Sequence, residues 1–145
     1  MELSCKTEYT LLALLELTGH YNEGEPLQIR QIAAQQNIPD RYLEQLLATL
    51  RRGNLVRSQR GSKGGYLLAR EPWTITLLDV INCLDGSTTP VSGNQKTVTT
   101  EESAIVQETW QDVRDRTNDI LRDYTLQDLW EKLNNRQQLN IMYYI

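Results

Sequence analysis

From residue 45 to residue 70 the chain carries Arg51, Arg52, Arg57, Arg60, Lys63 and Arg70 and not one Asp or Glu, a formal +6 in a chain of net charge −4. The pattern around that stretch leaves few folds open. Leu43, Leu46, Leu47 and Leu50 stand at i, i+3, i+4 and i+7, the stripe of an amphipathic helix. Asp40 is read as its cap and Gly53-Asn54 as its end. Residues 55–59 and 66–69 then read as two short strands. The turn between them is Arg60-Gly61-Ser62-Lys63-Gly64-Gly65, whose three glycines are free to take positive φ. Upstream, a largely buried helix is predicted over residues 3–18 and a short helix over 27–36, broken at Asn37-Ile38-Pro39 because the residue before proline avoids the helical region. Helix, short helix, tight turn, helix and hairpin make the order of a winged helix-turn-helix.

Charge distribution points to the ligand better than net charge does. After Arg70 there are six basic residues against twelve acidic ones, so the acidic half masks a local basic patch. A local patch is what phosphates feel, because salt screens charges beyond about 8–10 Å. In a recognition helix the first turns face the base edges. Arg41 there suits guanine and Gln45 suits adenine, Tyr42 lies between them, and Glu44 either excludes wrong bases or complements the helix dipole. Arg51 and Arg52 at the far end are placed for phosphates. Arg60 and Lys63 at the glycine-rich tip suit close approach to a duplex, with Arg60 fitting a narrow minor groove.

Beyond residue 70 a helix starts near Thr76 and runs to Leu84, followed by a stretch rich in Gly, Ser, Thr, Pro and Asn that predicts a mobile loop at about 86–100. A long helix is predicted over 101–123. Its stripe, Val106, Trp110, Val113, Thr117, Ile120 and Tyr124, advances in steps of four and three, the 3.5-residue period of a coiled-coil seam. Such a stripe either folds onto its own core or pairs with a second copy, and the pairing is the reading taken here. Asp112, Asp115 and Asp119 alternate with Arg114, Arg116 and Arg122 as a solvated face rather than a metal site. A last short helix is predicted from Thr125, and residues 139–145 are apolar enough to be tied down. The expected architecture is therefore mainly α with a small β-hairpin: a winged helix-turn-helix over 1–70 and a helical dimerisation region over 71–145.

These residues resemble a known family. Arg41-Tyr42-Leu43-Glu44-Gln45-Leu46, Leu50-Arg51, Gly53, Leu55-Val56, Arg60-Gly61 and Gly64-Gly65-Tyr66-Leu67-Leu68 occur in the order found in the Rrf family of bacterial winged-helix transcription regulators, the IscR, NsrR and CymR type. The tail, Thr125-Leu126-Gln127-Asp128-Leu129 and Ile141-Met142-Tyr143-Tyr144-Ile145, is most similar to its cluster-free CymR-like members. The resemblance implies a homodimer whose long helices cross and which binds a pseudo-palindromic operator, with Tyr42, Gln45, Arg51 and Arg60 on DNA and Lys6 and Tyr9 on its backbone. It also implies a repressor tied to cysteine or iron–sulfur metabolism.

The iron–sulfur sensors of that family hold their cluster with three cysteines in the loop before the long helix, and here that loop has none. The expectation is no cofactor. The one cluster arrangement left open joins Cys83 with Glu8 or Cys5 across a dimer, with Cys83 otherwise a small buried hydrophobe. His20, the only histidine, is expected to be solvated. CymR-like proteins bind a cysteine synthase, which the resemblance extends to Tyr144 and Ile145 as a carboxylate-terminated docking tail; the other reading, left open, is that they pack into the protein's own dimer. No apolar run approaches a membrane span and the first residues lack the pattern of a secretion signal, so a reducing cytoplasm is expected. No HExxH, GxSxG, phosphate loop or CxxC is present, which argues against an enzyme. A winged helix used for protein contacts alone is the remaining alternative, and salt dependence separates it from DNA binding.

Overall fold

In a computed structural model, which describes residues 2–86 and 100–143, the chain is largely helical with one two-stranded antiparallel sheet. Helix α1 spans Cys5–Gly19. Ser4 caps it, its side chain accepting from the amide of Thr7 at 3.1 Å, so α1 starts two residues later than the apolar pattern suggests. Thr10, Ala13, Leu14, Leu17 and Thr18 form its buried face. Both buried hydroxyls donate to the carbonyl one turn back, Thr10 to Lys6 and Thr18 to Leu14, each at 2.7 Å, so neither is left unsatisfied.

Helices α2 (Ile29–Gln36) and α3 (Asp40–Arg52) form the helix-turn-helix. Asn37 turns the chain between them at φ 56°, a left-handed conformation that asparagine tolerates, and buried Ile38 pins the turn through its amide to the carbonyl of Ala33. Pro39, not Asp40, occupies the cap position of α3. Asp40 opens the first turn instead, where its charge complements the helix dipole without a capping bond. Leu43, Leu46, Leu47 and Leu50 are all buried, as their spacing predicts.

Strands β1 (Val56–Gln59) and β2 (Gly65–Leu68) pair antiparallel, with Val56 opposite Leu68 and Gln59 opposite Gly65. Leu27, expected inside the second helix, instead bridges β2. Its amide donates to the carbonyl of Tyr66 at 3.0 Å, and the amide of Tyr66 donates to its carbonyl at 2.8 Å. That pair leaves room for no side chain at Gly65, where φ is 156° and a Cβ would come 2.3 Å from the Leu27 oxygen. Of the three turn glycines only Gly61 and Gly65 use positive φ; Gly64 is required because a Cβ would meet the carbonyl of Gln59 at 2.2 Å.

Helix α4 (Leu77–Asp85) follows a short 3-10 turn and starts in a capping box. Thr76 accepts from the amide of Asp79, and the Asp79 carboxylate accepts from the amide of Thr76. The expected mobile loop falls mostly on residues 87–99, outside the described residues. Helix α5 spans Glu101–Arg122, so Tyr124, counted in its stripe, lies beyond the helix end. The last helix, α6, spans Leu126–Tyr143 and is 18 residues long rather than short: the polar run Asn134-Asn135-Arg136-Gln137-Gln138 continues the helix instead of ending it. Two backbone bonds fasten the start of α6 to the entry of α4: Leu77 donates to Tyr124, and Leu126 to Ile75, each at 2.9 Å. The core runs from α1, α2 and α3 through β1 and β2 to Ile75, Val80, Leu84 and Leu126.

Leu139, Ile141, Met142 and Tyr143 are exposed in the single chain; Tyr144 and Ile145 lie outside the described residues. No helix among the described residues is long and apolar enough to cross a membrane.

Candidate nucleic-acid interface

With its leucines turned inward, α3 leaves Arg41, Glu44 and Gln45 exposed in its first turns and Arg51 and Arg52 exposed at its end. Tyr42 is half-buried, its ring meeting that of Tyr9 edge to face at a centroid distance of 5.7 Å. Through this contact Tyr9, itself only half-buried, braces the recognition helix from α1. Arg51 donates to the hydroxyl of Ser58 at 3.3 Å and so ties the end of α3 to β1. Arg52 donates to the hydroxyl of Thr49 at 3.2 Å, one turn back on its own helix. Arg57 points out from β1, and Arg60 and Lys63 are exposed on the hairpin turn.

Among the described residues, none of Arg41, Arg51, Arg52, Arg57, Arg60 and Lys63 has a carboxylate partner. Arg70 differs. It pairs with Asp79 at 2.6 Å and is thereby withdrawn from the patch in which its sequence position counts it. Lys6 is exposed and reaches the carbonyl of Leu84 at the end of α4 at 3.5 Å, in a pocket it shares with Thr49 and Arg52 of α3. What the fold brings together is thus the outer face of α3 and the hairpin, joined through Arg51. Sequence reading missed Arg30, exposed in the first turn of α2; a lone cation outside the basic stretch carries no periodic or compositional signal.

On α5, Val106 is 67%, Trp110 63% and Ile120 59% exposed, and Val113 also faces solvent. Thr117 is half-buried, its hydroxyl donating to the carbonyl of Val113 at 2.9 Å. In the carboxylate row on this helix Asp112 pairs with Arg116 at 3.3 Å and Asp119 with Arg122 at 3.0 Å, while Asp115 accepts from the side-chain amide of Gln111 at 2.9 Å.

The two thiols differ in exposure. Cys5 is exposed at the start of α1, and Glu8 one turn on is exposed too. Cys83 is half-buried between α4 and α3, its Sγ 3.5 Å from the carbonyl of Thr49. A Cβ on Gly53 would come 2.3 Å from that sulfur, so the thiol fills the space the glycine leaves. Burial pushes the Cys83 thiol up from its ordinary value, with the nearby Arg52 charge and the Gly53 amide pulling the other way. His20 lies at the other end of α1, bonded to Glu23 at 2.8 Å. Among the described residues no group of three or more His, Cys, Asp or Glu is placed to hold a metal, and residues 87–99 contain none of these four types. The donors of one chain do not fit an iron–sulfur cluster.

A family model described as Rrf2, iron-dependent transcriptional regulator, matches residues 3–132. The chain is 36% identical over 143 residues to the HTH-type transcriptional regulator CymR of Bacillus subtilis (strain 168), covering 99% of each protein. Among solved structures it is similar to T. potens IscR, with a TM-score of 0.75 and 33% identity over 94% of this chain and 91% of that one. It is also similar to CymR, the global cysteine regulator of B. subtilis, with a TM-score of 0.72 and 36% identity over 91% of this chain and 98% of that one.

Proposed function

This chain belongs to the Rrf2 family and is a winged-helix DNA-binding transcription regulator, and from that premise we propose a cluster-free homodimer that represses genes of cysteine or iron–sulfur metabolism from a pseudo-palindromic operator. The carrying observation is the set of exposed cations on α3 and the hairpin, none with a carboxylate partner among the described residues. Arginines held without counter-charges are available to phosphate oxygens and to guanine edges. In this reading Arg41, Tyr42 and Gln45 address the major groove, Arg51, Arg52 and Lys63 the backbone, and Arg60 the minor groove.

The α5 stripe supports the dimer. Four large apolar side chains exposed at 3.5-residue spacing form a seam that a second copy covers, placing two recognition helices on successive half-sites. The cluster-free reading draws on the sequence of residues 87–99, which holds no Cys, His, Asp or Glu, and on the 36% identity with CymR. The chain is read as a binding protein and not an enzyme because the relatives it matches are transcriptional regulators.

The test is a binding titration on a duplex selected from a random-sequence pool. Arg60→Ala is expected to weaken binding at least tenfold with the fold intact, and Gln45→Ala to alter sequence preference more than general affinity. Affinity must also fall steeply with salt. If both variants footprint like the parent, this docking geometry is wrong; binding that ignores salt returns the protein-contact reading.

A further inference from the structure

A cleft of about 460 Å³ lies between the hairpin and the start of α2, with Arg30 among its residues from α2 and Arg60 among those from the hairpin. We propose that this cleft seats one backbone phosphate of the bound duplex, held by Arg30, with Arg60 adding positive charge from the hairpin. The inference rests on the DNA-binding reading above and adds to it a contact from the first helix of the helix-turn-helix.

Three observations carry it. The cleft is framed by hydrogen bonds: the paired bonds between Leu27 and Tyr66 hold the hairpin against the residue that leads into α2. Its residues include two arginines and no carboxylate, and neither arginine has an ion-pair partner among the described residues. The neighbouring cleft, toward Lys63, has Glu25 in its wall and is the poorer home for an anion. Finally, Arg30 stands in the first turn of α2, which holds no acidic residue. A cation there opposes the helix dipole, so helix stability does not account for it, whereas an anion in the cleft satisfies both. The anion is assigned to the DNA backbone because in this motif the first helix crosses the backbone while the second enters the groove.

The experiment compares the parent, Arg30→Ala and Arg30→Lys by fluorescence anisotropy on two duplexes, one selected for binding and one unselected, across a salt series. Arg30→Ala is expected to weaken both by a similar factor, about tenfold, and to flatten the slope of log affinity against log salt by about 1 per chain; Arg30→Lys keeps the slope. Unchanged affinity and slope overturn the proposal. So does a loss confined to the selected duplex, which is the signature of a base contact. A scan of neutral methylphosphonates separates a backbone phosphate from free anion: at one position the parent loses as much as Arg30→Ala does, and the variant loses nothing more. If no position shows that coupling, the cleft does not hold the backbone. A parent that binds neither duplex removes the DNA-binding reading itself, whereas a binding parent indistinguishable from Arg30→Ala removes only this inference.

Discussion

Leu47 of α3 and Trp110 of α5 each stand on the apolar stripe of an amphipathic helix, yet Leu47 is fully enclosed and Trp110 is 63% exposed. The contrast extends to their helices. The whole leucine stripe of α3 is buried against α1, β1 and α4, while no residue of α5 is buried. Both helices have the spacing for burial, so spacing alone does not say what provides the cover. In the winged-helix region the chain covers itself. In α5 and the far half of α6 it exposes Ile105, Val106, Trp110, Leu139, Ile141 and Met142. Isolated helices draw little stability from propensity, which fits the proposal that a second copy covers these faces.

The largest effect expected from this contrast lies in the enclosed region. Leu47→Ala leaves a cavity at a site with no exposure and should lower stability by about 2–5 kcal/mol, read as a shift of the denaturant midpoint. A cost under about 1 kcal/mol would mean that the region is loosely packed and that the two halves differ less than their burial indicates.

Next comes the seam. Trp110→Glu should raise the dimer dissociation constant at least about 30-fold, the scale of losing one aromatic anchor, as measured by sedimentation equilibrium. The winged-helix region should stay folded, because Trp110 contributes nothing to its core. A variant that stays dimeric at the parent's concentrations would move the seam off this stripe.

The same contrast governs what was legible before the structure. The leucines of α3, the hairpin and the long helix were readable because each repeats at a local period. The features that differ are set by contacts outside their own local period. Leu27 has the apolar character of a helix residue but is claimed by Tyr66 of β2. The asparagines and glutamines after Leu133 carry no apolar period, yet they continue a helix that is longer than expected and whose first turn holds buried Leu126. Arg70 counts toward the basic patch until Asp79, nine residues on, neutralises it. Within the candidate site, exposed cations on α3 and the turn could be named from spacing, whereas Arg30 becomes visible only once the hairpin folds back beside α2.

The joint between the two regions provides the finest test. Thr76 caps α4 and exchanges bonds with Asp79, whose carboxylate also holds Arg70 where the chain leaves the hairpin. Its neighbours Ile75 and Leu77 carry the two backbone bonds to the start of α6. Thr76→Ala removes the bond to the Asp79 amide and should cost about 1 kcal/mol, the usual value of an N-cap. The two backbone bonds of the joint survive the change, since neither uses the threonine side chain. Operator affinity and dimer dissociation should therefore remain within about twofold of the parent while the thermal midpoint falls by a few degrees. If dimerisation weakens in parallel with stability, the cap is setting the angle of the long helices, and the two regions are coupled through this joint and not merely tethered by it.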